Sequence, residues 1–180
     1  MGASQADKAE SREKILTIAG KRFREEGLMG ISVADVMKAA GLTHGGFYKH
    51  FENRDALVAQ ALERALAPAE DNGYANYQSF VREYVSRDHR EMRGTGCAMA
   101  ALAGEVVRAE DRTRSVFTGG VRRAIAQIGR LLGAPDRDTE ARAVAAFSTA
   151  LGALVLSRAV DDPELSDLFL ASARKALLKM

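Results

Sequence analysis

Apolar positions recur every three or four residues along almost the whole of this chain, and strand-like alternation is absent. Ile15, Ala19 and Phe23 share one face of a helix predicted over about 11–26, with Gly27 after its end. Val33, Val36, Met37 and Ala40 mark a short second helix, and Phe47 and Phe51 anchor a third over roughly 43–50. A fourth begins after the N-cap Asn53 and carries Leu57, Ala61 and Ala65. Five more helices come after it. The first covers roughly 73–91 with Tyr77, Phe80, Val81 and Tyr84 inward, and the next spans about 97–109. Then come about 112–132, with Phe117, Val121, Ala124, Ile128 and Leu131, and about 137–160, with Val144, Phe147, Leu151, Leu154 and Val155. The last opens at Asp162-Pro163, a cap followed by proline at the first helical position, and holds Leu165, Leu168, Phe169 and Leu177. Pro68, Pro135 and Pro163 all fall where helices should break or begin. The pattern predicts an all-α fold of about nine helices, with residues 1 to about 9 as a loose arm.

The run from Ile31 to Phe51 is the most specific part of the chain. Ser32 is a good N-cap, and Asp35 three residues later comes close to a capping box. Gly41 supplies the left-handed conformation that ends a helix, Leu42 plugs the turn, and Thr43 is placed to cap the next helix. With Phe47 and Phe51 inward, His44, Gly45, Gly46, Tyr48, Lys49 and His50 face outward. Each glycine costs about 1 kcal/mol relative to alanine in a helix interior. That cost makes sense if the backbone must approach another surface closely. Two short helices about a tight turn form the geometry that places the second in the DNA major groove. The plainer alternative is a surface turn punctuated by loop glycines.

Composition narrows the picture. The 180 residues are 47% hydrophobic, enough for a real core, and the formal charge is only +2. Locally, residues 11–24 set Arg12, Lys14, Lys21, Arg22 and Arg24 against the single acid Glu13, a patch able to meet phosphates or simply a solvated face. The one cysteine, Cys97, excludes an intrachain disulfide and fits a reducing compartment. The first residues are polar and mixed in charge, unlike a secretory leader, and the Met-Gly start lacks Ser or Thr at position 6. Ala143–Leu156, the most apolar stretch, is interrupted by Ser148, Thr149 and Gly152 and is short for a membrane span. A cytoplasmic protein with no membrane partner is expected. Enzyme motifs are missing: Gly94-Thr95-Gly96 lacks the third glycine of a dinucleotide fingerprint, and His44, His50 and His89 form no metal pattern. No catalysis, metal or cofactor is therefore expected.

Ala143, Ala146, Ala150 and Ala153 line a face at spacings of 3, 4 and 3. Small side chains let helices approach closely, and a second apolar face predicts a two-fold homodimer through the last two long helices. Burial inside a single domain is the alternative.

Ile15 through Phe23, Gly27, Ile31 through Val36, Ala40 through Phe51, Asn53-Arg54 and Leu57 together resemble the DNA-binding domain of the TetR family of bacterial transcriptional regulators. Gly96–Glu105 is similar to a segment of some members. The resemblance implies a three-helix helix-turn-helix DNA-binding domain over 1–52 and a helical effector-binding and dimerisation domain over 53–180. It implies a repressor that binds a palindromic double-stranded DNA operator as a dimer and is released by a small-molecule effector. The DNA-facing residues it implies are Ser32, Thr43, His44, Gly45, Gly46, Tyr48, Lys49, His50 and Arg54. Among them Tyr48 and Thr43 would touch phosphate, His44 and Gly45 base edges, and Lys49 a base or phosphate. His50 would meet the DNA backbone. Arg54 stands where lysine is usual, with a fork suited to phosphate. Few long side chains are left to read bases, so indirect readout gains weight.

An effector pocket is expected among the helices from 73 to 160, with Tyr77, Cys97, Met99, Leu102, Phe117, Val121 and Phe147 as candidate lining. These residues favour a hydrophobic effector. Gly119-Gly120 within a helix makes room for a ligand or for a close helix crossing, and the sequence leaves both open. Cys97, at a predicted helix start with His89 and Arg93 upstream, allows a redox-responsive alternative. A helical protein-interaction module is the other alternative, one that leaves Tyr48-Lys49-His50 beside two glycines unexplained.

Overall fold

The computed structural model describes residues 5–67, 73–133 and 136–180. All regular structure among them is helical: α1 (Gln5–Glu26), α2 (Val33–Ala39), a 3-10 helix (His44–Lys49), α3 (Arg54–Ala65), α4 (Tyr77–Tyr84), α5 (Arg87–Glu91), α6 (Ala98–Val106), α7 (Asp111–Leu132), α8 (Arg137–Ala159) and α9 (Pro163–Leu177). The helix breaks expected at Pro68 and Pro135, and the reading of the Met-Gly start, lie outside the described residues.

Two predicted elements differ. Residues 5–9, expected as a loose arm, belong to α1. They lack an apolar stripe, but Gln, Ala and Lys are good helix formers, so propensity carries the helix backwards. The single helix expected over 73–91 is two. Val85 leaves the helical conformation (φ −94°, ψ 67°), and the Ser86 hydroxyl accepts the His89 N–H at 3.0 Å, starting α5 afresh.

The chain divides into two compact units, the described residues of Met1–Ala67 with Ala101–Thr118, and those of Pro68–Ala100 with Gly119–Met180. In the first, α3 packs along α1 and so joins the N-terminal helices, where the sequence reading closed that domain at residue 52. Ile15, Ala19 and Phe23 of α1 meet a core that includes Val36, Met37, Phe47, Phe51, Leu57 and Leu62, all nearly inaccessible.

The second unit is built on α8 and α9, which pack along each other. α8 buries Ala143, Ala146, Phe147, Ala150, Ala153 and Leu154, and α9 buries Leu170, Ala173 and Leu177. The alanine face predicted to meet a second copy is thus used inside the chain. Small residues at helical spacing serve either contact equally well, and periodicity does not tell them apart. What α8 and α9 leave exposed is another set, Val144, Val155, Leu156, Leu165 and Leu168. Being apolar on two sides, the 23 residues of α8 are long and apolar enough to cross a membrane by length and composition, unlike the shorter Ala143–Leu156 stretch. Arg158 and Arg174 fasten the small helices. The Arg158 guanidinium donates to the carbonyls of His89 at 2.6 Å and Arg90 at 3.0 Å, and Arg174 donates to Val85 at 2.7 Å. Each cation thereby satisfies carbonyls left over at a helix end.

Candidate nucleic-acid interface

Ser32 opens α2 with a full capping box. Its hydroxyl accepts the Asp35 N–H at 3.2 Å, and the Asp35 carboxylate accepts the Ser32 N–H at 3.2 Å and the Ser32 hydroxyl at 2.5 Å. These bonds from Ser32 hold the Asp35 carboxyl below the usual carboxylate range. The Ser32 hydroxyl is therefore already engaged at the start of α2. α2 ends in a Schellman turn: Leu42 N–H donates to Met37 O at 2.9 Å, and Gly41 N–H to Lys38 O at 3.0 Å. Gly41, with φ +73°, makes that reversal without side-chain strain.

The next element is a 3-10 helix, where an ordinary helical turn was expected. Thr43 occupies its N-cap position, but its hydroxyl makes no cap bond. The reason is local: the Gly46 N–H that Thr43 would cap already donates to the Thr43 carbonyl at 3.0 Å, the i→i+3 bond that defines the tighter helix. Phe47 and Phe51 hold the element down. Their rings stack 5.6 Å apart and are 2% and 3% exposed. The Arg12 guanidinium lies over the Phe51 ring at 5.2 Å.

The outward side carries His44, Gly45, Tyr48 and Lys49, all exposed, with Thr43 beside them. Tyr48 is 71% exposed, braced edge-on by Phe47 at 5.3 Å. A Cβ built at Gly45 meets nothing within 4 Å, whereas at Gly46, which is half-buried, it touches Met37 and Thr43 at 3.7 Å. Nothing among the described residues therefore demands glycine at 45.

Three features depart from the sequence picture. His50, expected outward, is half-buried, and its Nδ1 is shielded without a hydrogen-bond partner among the described residues. Burial first, then the cations Lys8, Arg12 and Lys49, hold its pKa below the ordinary imidazole range. Arg54 turns inward: its Nη2 donates to the carbonyl of Leu28 and reaches that of Ile31 at 3.5 Å. The basic patch on α1 is partly neutralised one turn on, by Arg22–Glu26 at 2.6 Å and Lys21–Glu25 at 3.9 Å. The net charge of a window ending at residue 24 misses both acids.

In the second unit, the Tyr84 hydroxyl donates to Cys97 Sγ at 3.1 Å, and burial pushes the Tyr84 pKa well above the usual phenol range. His89 does not face that sulfur as a base. Its Nε2 accepts the Cys97 backbone N–H at 3.1 Å, which leaves the proton on Nδ1 to bond the Tyr84 carbonyl at 2.8 Å. Of the expected pocket residues, Met99 and Phe147 are buried and Val121 half-buried in this unit, whereas Leu102, buried, and Phe117, half-buried, belong to the first. Tyr77 edges a groove of about 500 Å³ with Leu131, Leu132, Leu178 and Met180. The sequence missed those four partners. They come from the end of α7 and from the residues that follow α9, remote in sequence.

Residues 15–61 match the family model of the bacterial regulatory proteins, tetR family. The transcriptional repressor NemR of Escherichia coli K12 is 25% identical over 134 residues, 68% of this chain and 67% of that protein. The transcriptional repressor KstR2 of Rhodococcus jostii is 26% identical over 119 residues, 66% of this chain and only 54% of its own length. Among solved structures, reduced E. coli NemR superposes with a TM-score of 0.73 at 21% identity, covering 92% of this chain and 96% of the other. A TetR-family regulator from Agrobacterium tumefaciens gives 0.78 at 18% identity, covering 96% and 98%.

Proposed function

From the premise that this chain is a TetR-family transcriptional regulator, we propose that it is a repressor that grips a palindromic operator as a homodimer and lets go when a small apolar effector binds. One observation carries the reading. A short helix is clamped by two buried phenylalanines, and its outward side is limited to His44, a sterically unneeded Gly45, Tyr48 and Lys49. A rigid base with a thin face suits entry into the major groove, with Tyr48 and Lys49 reaching flanking phosphates. His44 is left as the side chain best placed for a base edge, and DNA shape supplies the rest of the selectivity.

The dimer runs through the exposed apolar residues of α8 and α9, Val144, Val155, Leu156, Leu165 and Leu168, in place of the alanines. Self-association of that face brings two reading elements to successive major grooves about 34–36 Å apart. The groove beside Tyr77, where Leu131, Leu132, Leu178 and Met180 meet Asn76 and Gln78, offers a hydrophobic effector apolar contacts together with side-chain amides that can fix its orientation. An effector that favours another spacing lowers DNA affinity by linkage, typically by about 1–3 kcal/mol.

Sedimentation and fluorescence-anisotropy titrations against duplex DNA from upstream of its own gene test this together. Wild type should sediment as a dimer and bind with an affinity that falls steeply with salt. Leu168→Glu, at a position 59% exposed, should fold normally, sediment as a monomer and bind on the order of a hundredfold more weakly, because the second half-site no longer adds to the first. A monomeric wild type, or an unweakened variant, would refute the dimeric reader.

A further inference from the structure

The turn between α1 and α2 is anchored from outside itself, at both polar groups of one residue. The Leu28 N–H donates to Glu105 Oε2 at 2.8 Å, and the Leu28 carbonyl accepts from Arg54 Nη2. Glu105 lies on α6, 77 residues further along the chain. The fit is tight. Gly27 has φ +84°, a conformation that favours glycine, and a Cβ there would stand 2.7 Å from Glu105 Oε1 and 3.1 Å from Oε2, so the carboxylate would have to shift to admit one.

The turn needs that anchor. It holds Gly27 and Gly30 within four residues, and its own backbone bond, Gly30 N–H to Gly27 O, is long at 3.4 Å. Glycines leave such a segment many conformations. Yet the whole reading motif hangs from it: Leu28 and Ile31 enter the core, Ser32 caps α2, and α2 ends in the Schellman turn that launches the 3-10 helix. If the turn wanders, the start of α2 wanders with it. Apparent affinity for DNA then falls in proportion to the fraction of molecules held in the competent arrangement.

We infer that Glu105 is a positioning residue for DNA binding: its carboxylate fixes the α1–α2 turn in the arrangement that presents His44–Lys49. This rests on the DNA-reading function proposed above. Glu105 itself touches no DNA; it acts through the Leu28 backbone.

The test compares wild type, Glu105→Ala and Glu105→Gln as full-length proteins, on the same upstream duplex and by amide exchange. Glu105→Ala should bind on the order of tenfold more weakly, the loss expected for one hydrogen bond to a charged group. Its salt dependence should be unchanged, because no phosphate contact is removed. The Leu28 amide should exchange faster while the amides of Leu57 and Leu62 in α3 stay protected. Glu105→Gln keeps an acceptor oxygen and should recover most of the affinity. Glu105→Ala binding like wild type would overturn the inference, as would Glu105→Gln as weak as Glu105→Ala, or loss of protection at Leu57 and Leu62 together with Leu28. A wild-type chain that ignores the duplex sinks the DNA reading itself.

Discussion

Phe47→Ala should unfold much of the DNA-binding unit and abolish operator binding. The ring is 2% exposed, stacks on Phe51 at 5.6 Å and braces Tyr48 at 5.3 Å. Truncating a buried phenylalanine costs about 3–5 kcal/mol, from lost transfer free energy and the cavity left behind. A typical domain holds only about 5–15 kcal/mol in reserve. The 3-10 helix has little else to secure it, since six residues with two glycines have poor intrinsic helicity. Thermal unfolding followed by circular dichroism should show a marked fall in Tm, and anisotropy should show no specific binding. A variant with the wild-type Tm would mean that the phenylalanine pair does not anchor the element.

Gly45→Leu is the complementary case, with folding spared and binding destroyed. Nothing within 4 Å opposes a Cβ there, and leucine has the higher helix propensity, so stability should hold or rise slightly. In the complex, the added isobutyl group stands between the backbone and the groove floor. Lifting the element off even one or two base contacts, each worth about 1–3 kcal/mol, weakens specific binding on the order of a hundredfold. Sequence-independent attraction to phosphates should persist. Unchanged operator affinity in a well-folded Gly45→Leu variant would show that the bare backbone at 45 has no part in recognition.

How much of the molecule was legible beforehand depended on whether the cause was local. The Ser32–Asp35 box, the reversal at Gly41, the Asn53 and Asp162 caps and the inward phenylalanines all arise from side chains within four residues of the backbone they control, and the structure has each of them. The start of α1 was missed because helix propensity without an apolar stripe leaves no periodic signal. Where the partner is distant, sequence could assign only a residue's chemistry. Arg54 reads as a phosphate ligand by its charge, yet it spends donors on the carbonyls of Leu28 and Ile31. Glu105 reads as one acid among many until Gly27 makes room for it. The alanines of α8 announce close packing without saying against what, and the face left open, from Val144 to Leu168, emerges only once α9 has covered the other side.

Hydroxyl-radical footprinting of the full-length protein on duplex DNA from upstream of its own gene addresses the central claim most directly. Two reading elements about 34–36 Å apart predict two protected patches centred about one helical turn apart on one face of the duplex. Gly45→Leu should erase both. A single continuous patch, or no protection at concentrations where the chain is dimeric, would contradict the account.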